Sequence, residues 1–387
     1  MERHSEIKGK ALLFLLFLWI LWFLNMLGRT VFSPILPLIE DEFMIHHARA
    51  SSIFMFQSMG YAISVCLAGL YSGRVGYKKS ITLFLAISSL ILFLVSFVKV
   101  FSAFYIFAFI LGFAVGIYLP AAIPLMTEYF AERNWGKSIT IHDSAAPISI
   151  FCTPFIILFL LRFYTWRGVL EVFAVIFFVS ALIFYLITDE IQPGVAQRIR
   201  LAHLFKTPSL LTSIIIWVFA VGANLGLYLI IPLYLTKELS LTIGDANSIL
   251  GTSRLGGIGV AILCGILVNR FNLKKAMFAT LFISGIFIVL TGAVPVRFVG
   301  ISLFFQAIFV TGFFPLALVA ITKMFDREMR SVATGVVLGC SVILGGGFFP
   351  YLLGVAGDHL SFRFGISLLG VLVCLSSLLI LSLKESK

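Results

Sequence analysis

The chain has 387 residues, of which 60% are hydrophobic and only 12% are charged, and its mean hydropathy is +1.10. Soluble domains carry about 25% charged residues, so this composition excludes a water-soluble fold and predicts a protein that takes the lipid bilayer as its solvent. The formal net charge of +11 does not indicate nucleic-acid binding, because the basic residues form short clusters between apolar runs.

Twelve apolar runs are long enough to cross the hydrocarbon layer as helices, which takes about 20 residues each. In chain order, the predicted spans are 11–38, 49–71, 80–98, 102–128, 138–161, 168–188, 209–236, 246–268, 276–295, 299–322, 332–356 and 364–383. The polar start of the chain and the length of the first run favour a permanent first span over a signal peptide. The predicted fold class is therefore all-α integral membrane.

Lysine and arginine are distributed unevenly over the two sides of these spans. With the N terminus inside, the inner segments hold nineteen of the 28 basic residues and the outer segments seven, while Arg29 and Arg254 lie within spans. By the positive-inside rule, both termini are predicted to be cytoplasmic, in a plasma (inner) membrane.

Other classes of site leave no trace in the sequence. All five cysteines lie inside apolar runs, so we predict no disulfide and no metal site. No nucleotide-binding loop, catalytic triad or haem motif is present, so we predict no cofactor and no enzymatic activity.

The two halves of the chain resemble each other. The longest polar stretch runs from Asp189 to about Pro208, and within it residues 191–208 are the predicted cytoplasmic linker between residues 1–190 and residues 209–387. Five positions recur at one offset of 196 residues: Gly60, Gly69, Arg74, Lys78 and Lys79 recur as Gly256, Gly265, Arg270, Lys274 and Lys275. One shared offset indicates an internal repeat of two six-helix halves, which is typical of transporters.

The repeated loop, with Gly76 two residues after Arg74, resembles the signature loop of the major facilitator superfamily. That signature is a Gly, three residues, Asp, Arg, one residue, Gly and then basic residues. The family's Asp is Gly73 here and Asn269 in the second half, which predicts weaker charge contacts in this conformational loop. The resemblance covers the whole chain and implies a monomer of two six-helix bundles that rock about a central site to give alternating access.

The first span carries a more specific resemblance. The segment 28–37, GRTVFSPILP, is similar to the pattern of the anion:cation symporter branch, in which an Arg in mid-span precedes a Pro by some eight residues. In that branch the Arg contacts an anionic substrate, which implies the same role for Arg29. The branch's usual Arg in span seven is missing, and Asn224 and Tyr228 stand there instead. The nearest second candidate is Arg254 in span eight.

Ionisable groups inside a membrane cost several kcal/mol unless they face a cavity or a partner. Arg254 lies eleven residues before Gly265, or about 16 Å along a helix, and its planar fork suits a carboxylate. The alternatives are an ion pair with a neighbouring helix for Arg254 and a position at the outer interface for Arg29.

His142 and Asp143 are adjacent and therefore face about 100° apart on a helix. One of them is the candidate proton carrier, since histidine titrates near neutral pH; the alternative is that both only pack near the inner end of span five. Six polar residues are candidate substrate contacts and would otherwise be helix–helix hydrogen bonds: Asn25, Gln57, Tyr118, Asn224, Tyr228 and Gln306.

The predicted function is secondary transport of a small, carboxylate-like organic anion, taken up with protons. An exporter of drugs or other amphiphiles, a carrier of neutral solutes and a non-transporting receptor on the same fold remain alternatives. The exporter is disfavoured because spans four and five lack the Arg and the paired glycines of proton-coupled drug exporters. Two arginines in the membrane would also repel a cationic substrate.

Overall fold

The computed structural model describes residues 6–189, 208–260, 272–325 and 330–383. For residues 68–74, 208 and 330–332 it describes the backbone but not the side chains. Eleven of the described helical segments are long and apolar enough to cross a membrane. They match eleven of the predicted spans to within a few residues. Of the eighth span, 246–268, the part beyond residue 260 lies outside the described residues. The fold is all-helical, with two bundles.

The first compact unit consists of described residues within Met1–Val31 and Phe56–Gln197. Its helices are α1 (Lys10–Thr30), α3 (His47–Val75), α4 (Tyr77–Ser96), α5 (Ser102–Tyr129), α6 (Trp135–Asp143), α7 (Ala145–Leu160) and α8 (Trp166–Ile187). Of these, α3 crosses the boundary between the two units. Helix α4 packs on α5 and α8, and α1 packs on α5, α6 and α7.

The second compact unit consists of described residues within Phe32–Met55 and Arg198–Lys387. Its helices are α2 (Phe32–Phe43), α9 (Pro208–Val221), α10 (Leu227–Lys237), α11 (Ile243–Ser253), α12 (Leu273–Ala293), α13 (Val296–Met324), α14 (Arg330–Ser341), α15 (Phe349–His359) and α16 (Phe362–Ser382). Helix α12 packs on α13 and α16, and α10 packs on α2 and α11.

The segment Phe32–Met55 belongs to the second unit although it lies in the first half of the sequence. Ser33 Oγ donates to the carbonyl oxygen of Tyr228 at 3.1 Å, and Asn247 Nδ2 donates to that of Pro34 at 3.1 Å. The N-terminal turns of α3 belong with this segment, and the rest of α3 belongs with the first unit. The predicted division of the chain at residues 191–208 stays a prediction.

Several spans are interrupted rather than continuous. Span one is split at Val31 between α1 and α2, and span five is split at Ser144 between α6 and α7. A proline follows each split, and proline offers no N–H to the carbonyl four residues earlier. Pro34 thus leaves Thr30 without its helical partner, and Pro147 does the same to Asp143. Irregular helix is tolerated at membrane depth where it lies inside the protein.

Candidate functional site

Arg254 lies at a break in the eighth span of the chain, which belongs to the second unit. Helix α11 ends at Ser253, and the Arg254 N–H donates to the carbonyl of Gly251 at 2.9 Å, which is the tighter three-residue turn. The side chain is only 5% exposed. Its Nη1 donates to Asn224 Oδ1 at 3.1 Å, and its guanidinium carbon lies 5.1 Å from the ring centroid of Tyr228.

The other edge of this guanidinium group is available to bind a ligand. Among the described residues, the buried Nε and Nη2 of Arg254 have no hydrogen-bond acceptor, and no carboxylate forms an ion pair with this side chain. These two atoms form one edge of the planar fork that binds a carboxylate through two parallel hydrogen bonds. Asn224 and Tyr228 hold the opposite edge and the face, so the free edge has a fixed direction.

The local fold explains why Asn224 can reach Arg254. Residues Gly222–Gly226 form a π-helical turn between α9 and α10, and such turns occur frequently at functional sites. A Cβ on Gly222 would lie 2.0 Å from the ring of Phe349, so only glycine fits. A second π-helical segment, Val342–Phe348, packs against the first, and a Cβ on its Gly345 would lie 2.7 Å from Gly222 N.

Arg29 lies in the last turn of α1, in the first unit, and is half-buried. Its guanidinium carbon is 4.4 Å from the ring centroid of Tyr61, and its Nη1 is 3.9 Å from the sulfur of Met26. Among the described residues, no carboxylate pairs with it. Each membrane arginine is therefore oriented by a tyrosine ring of its own unit, a cation–π contact. The sequence reasoning did not single out Tyr61.

His142 lies in a stack of aromatic rings in the first unit. The side chains of Tyr118 and His142 are fully buried, and the ring of Trp22 lies 5.6 Å from each of theirs at interplanar angles of 14° and 16°. Tyr118 Oη donates its one hydrogen to the carbonyl of Leu18 at 2.9 Å, so it accepts the hydrogen bond from His142 Nε2, also at 2.9 Å.

This arrangement fixes the tautomer of the neutral imidazole. The proton is on Nε2, so Nδ1 of His142 carries the lone pair, and this buried atom has no hydrogen-bond partner among the described residues. Asp143, unlike His142, is exposed.

The remaining polar candidates divide into two groups. Tyr118, Asn224 and Tyr228 lie against the ionisable residues, as described above. The other three donate to backbone carbonyls of neighbouring helices: Asn25 Nδ2 to Val115 O at 2.7 Å, Gln57 Nε2 to Gly28 O at 2.9 Å, and Gln306 Nε2 to Ala223 O at 2.8 Å. These are the helix–helix bonds named above as the alternative, and a substrate contact for these three stays a prediction.

The conformational loop is described in part. Gly76 has φ +86° and precedes α4, a conformation that favours glycine. Lys78 Nζ lies 4.6 Å from the ring centroid of Tyr185, and Lys79 is exposed. In the second half, Lys274 and Lys275 begin α12. The surroundings of Gly69 and the side chain of Arg74, and the residues Gly265 and Arg270, lie outside what the structure describes.

The sequence did not predict one cluster of charged side chains. Glu40, buried at the end of α2, contacts His47 and Lys237. The available signal was a carboxylate seven residues before a histidine, where two spans meet. Within the described ranges, no group of three His, Cys, Asp or Glu side chains is placed to hold a metal ion.

Comparison with known proteins identifies the family of this architecture. The model of the Major Facilitator Superfamily matches residues 18–242 and 212–387. The chain is 26% identical, over 353 residues and 85% of each chain, to the "Putative niacin/nicotinamide transporter NiaP" of Bacillus subtilis (strain 168).

Solved structures agree on the fold. A bacterial homologue of the human lysosomal transporter Spinster, inward-facing and occupied, has a TM-score of 0.82 at 14% identity and covers 98% of this chain and 97% of its own. A D-xylose–proton symporter has a TM-score of 0.79 at 17% identity and covers 98% of this chain and 99% of its own.

Proposed function

Because the chain belongs to the major facilitator superfamily, and is therefore a membrane transporter and not an enzyme, we propose that it takes up a small organic anion together with protons. The proposed location is the plasma (inner) membrane, with both termini in the cytoplasm, as the excess of Lys and Arg on one side favours. The proposed ligand of the anion is Arg254 of the second unit, and a role for Arg29 of the first unit in contacting the anion stays a prediction of the sequence.

The unpaired edge of Arg254 carries this proposal. A buried guanidinium group without an anionic partner is costly, and a protein keeps one where a ligand supplies the negative charge. Nη1 is already bonded to Asn224, so Nε and Nη2 remain for the ligand. A carboxylate offers two oxygens at the spacing of these two donors. A cation or an amphiphile without an acceptor would leave both donors unsatisfied.

The relative in Bacillus subtilis suggests which carboxylate to test first. Its name assigns niacin or nicotinamide as its cargo. Niacin is a flat aromatic ring with one carboxylate, which is ionised at neutral pH, and nicotinamide has the same ring with a neutral amide. We propose that this chain carries an aromatic monocarboxylate of this kind and selects the acid over the amide, because an amide offers one acceptor oxygen to the two donors of Arg254.

Proton coupling is proposed for His142. With Nε2–H bonded to Tyr118, the Nδ1 lone pair is the only site where the neutral ring can accept a proton. Trp22 covers both rings of this hydrogen-bonded pair, so the imidazole is held in one orientation. Asp143, which is exposed beside it, is the other candidate carrier.

The test is uptake of labelled nicotinate into proteoliposomes that contain the purified chain, with an inward proton gradient. We expect nicotinate to accumulate, excess unlabelled nicotinate to compete and excess nicotinamide to compete weakly. Arg254→Ala should abolish uptake at a normal level of folded protein, while Arg297→Ala, which removes an exposed arginine from the start of α13, should transport normally. Unchanged uptake by Arg254→Ala would overturn the proposed site.

Thermal unfolding in detergent gives a second measurement that needs no gradient. A ligand that binds the folded state raises the unfolding temperature by mass action. Nicotinate should raise the midpoint of the native chain more than nicotinamide does, and it should not raise that of Arg254→Ala. Equal stabilisation by a series of lipophilic cations would favour the exporter instead.

A further inference from the structure

The second unit contains a cluster of charged residues at the predicted outer ends of its helices. We call it the outer cluster; it consists of Glu40, Asp41, His47, Lys237 and Asp358. Glu40 is 5% exposed, whereas Asp41 is at the surface. Lys237 Nζ pairs with Asp41 and lies 3.7 Å from Glu40 Oε1.

His47, the first residue of α3, is the central member of this cluster. Its Nδ1 lies 3.0 and 2.8 Å from the two carboxylate oxygens of Glu40. Its backbone N–H and that of Ala48 donate to the two oxygens of Asp358 at 2.9 Å each. Its ring lies 4.9 Å from that of Phe362. Three elements of the unit, α2, α15 and α16, therefore contact this one residue.

The polypeptide is closely packed around this histidine. A Cβ added to Gly354 of α15 would lie 2.8 Å from the carbonyl oxygen of His47 and 2.2 Å from Ser51 Oγ. The first turn of α3 therefore touches α15 through a glycine. Asp358 of the same helix accepts from the backbone N–H groups of this turn, so the turn is held on α15 at two points.

We propose that His47 and Glu40 form a proton-binding site, separate from the proposed coupling residue His142, and that the proton bound there stabilises the packing of Phe32–Met55 on the second unit. When His47 is neutral, the outer cluster contains three carboxylates and one ammonium group. Protonation strengthens the hydrogen bond to Glu40 and adds a positive charge beside both Glu40 and Asp358; burial of the ring and repulsion from Lys237 oppose it but do not outweigh it.

The charge balance gives the sign of the pH dependence. The charged groups that act on the imidazole are Glu40 from α2, Asp358 from α15 and Lys237 from α10, and α16 places the ring of Phe362 against it. On its own side, Arg49 and His46 are exposed. The negative groups are nearest, so the protonated form is favoured in the packed state. The stabilisation is present at low pH and is lost as the pH rises through the range in which histidine titrates.

This site does not depend on which solute the protein carries. It lies at the predicted outer ends of the helices, where the proposed topology exposes it to protons from outside the cell. It would make the attachment of Phe32–Met55 to the second unit respond to pH whatever the solute and whatever the role of His142.

The experiment is hydrogen–deuterium exchange of the full-length chain in detergent, read by mass spectrometry on the peptide that contains the amides of His47 and Ala48. After correction for the intrinsic pH dependence of exchange, protection of these two amides should rise as the pH falls from about 8 to about 6. In His47→Gln, which keeps a hydrogen bond without the charge, this rise should be lost. In His47→Arg, protection should be high at both pH values.

The neighbouring histidine supplies the matched control. His46 is exposed, and His46→Gln should keep the full pH response. Glu40→Gln, which is nearly isosteric, should weaken the response and serves as the test if His47→Gln does not fold. Protection that is independent of pH in the native chain, or an unchanged pH response in His47→Gln or Glu40→Gln, would overturn the proposal.

Discussion

Replacing Arg254 by lysine keeps the charge of the proposed anion site and removes the planar fork. Lysine cannot offer two parallel N–H donors, and it cannot hold Asn224 Oδ1 and a carboxylate in the present geometry. One charge-assisted hydrogen bond is then lost, which is worth about 1.5 to 3 kcal/mol. Since about 1.4 kcal/mol corresponds to a tenfold change in affinity, Arg254→Lys should bind nicotinate about 10-fold to 100-fold more weakly.

The assay is the KM for nicotinate uptake into proteoliposomes, with equal amounts of reconstituted protein. The Lys variant should show a raised KM and retain measurable transport, whereas Arg254→Ala should show none. Asn224→Ala gives an independent check, because it removes the acceptor that orients Nη1 and leaves the fork intact; its KM should rise less than that of the Lys variant. A KM for Arg254→Lys within twofold of the native value would refute the two-donor geometry.

Two further predictions concern stability and are read from thermal unfolding in detergent. Tyr118→Phe removes the hydroxyl that accepts from His142 and leaves a buried N–H unsatisfied, so we expect a loss of about 1 to 3 kcal/mol; an unchanged midpoint would contradict the tautomer assigned here. Gly112→Ala places a Cβ 1.9 Å from the carbonyl oxygen of Gln57 and should lower the midpoint, by about 1 to 3 kcal/mol of overpacking. Gly339→Ala, which meets no atom within 4 Å, should not lower it.

The sequence predicted the spans well, because length and hydropathy are local properties and a helix is the segment that satisfies its own backbone in lipid. It did not predict where spans are interrupted. Pro34 and Pro147 are visible in the sequence, but whether a proline bends a helix or ends it depends on what neighbouring helices offer to the freed carbonyl. The π-helical turn at Gly222–Gly226 is less visible still, since it packs against the ring of Phe349, which is distant in sequence.

The polar residues show the same limit in a different way. Gln57 and Asn224 are both amides inside apolar runs, and nothing in their local sequence distinguishes them. Gln57 donates to the carbonyl of Gly28, while Asn224 accepts from Arg254. The difference lies in which group the neighbouring helix presents. Likewise, Glu40 pairs with His47 across the turn between α2 and α3. The hydrophobic periodicity of the sequence does not predict the geometry of that turn.

The two halves share a glycine at a packing position but do not share the proposed binding residues. Gly60 and Gly256 are related by the offset of 196 residues, and each lies against a neighbouring helix of its own unit. The position equivalent to Arg29 is Leu225, so the arginines of the two halves do not correspond. In the first half the arginine is on span one and its tyrosine, Tyr61, is on span two; in the second half the tyrosine, Tyr228, is on span seven and the arginine on span eight.

In each unit the arginine and the tyrosine of the cation–π pair lie on two consecutive spans, in opposite order. A charge in the membrane must be oriented by a neighbour, and the ring of a tyrosine on the adjacent helix does this in either direction. The repeat therefore supplies two adjacent helices in each unit on which an arginine and a tyrosine can be placed independently. Moving the charge within the second unit, by Arg254→Tyr with Tyr228→Arg, should preserve folding but not the affinity for nicotinate, because Asn224 is positioned for the native arginine alone. Measurable high-affinity uptake by that double variant would show that the ring, and not Asn224, sets the direction of the guanidinium group.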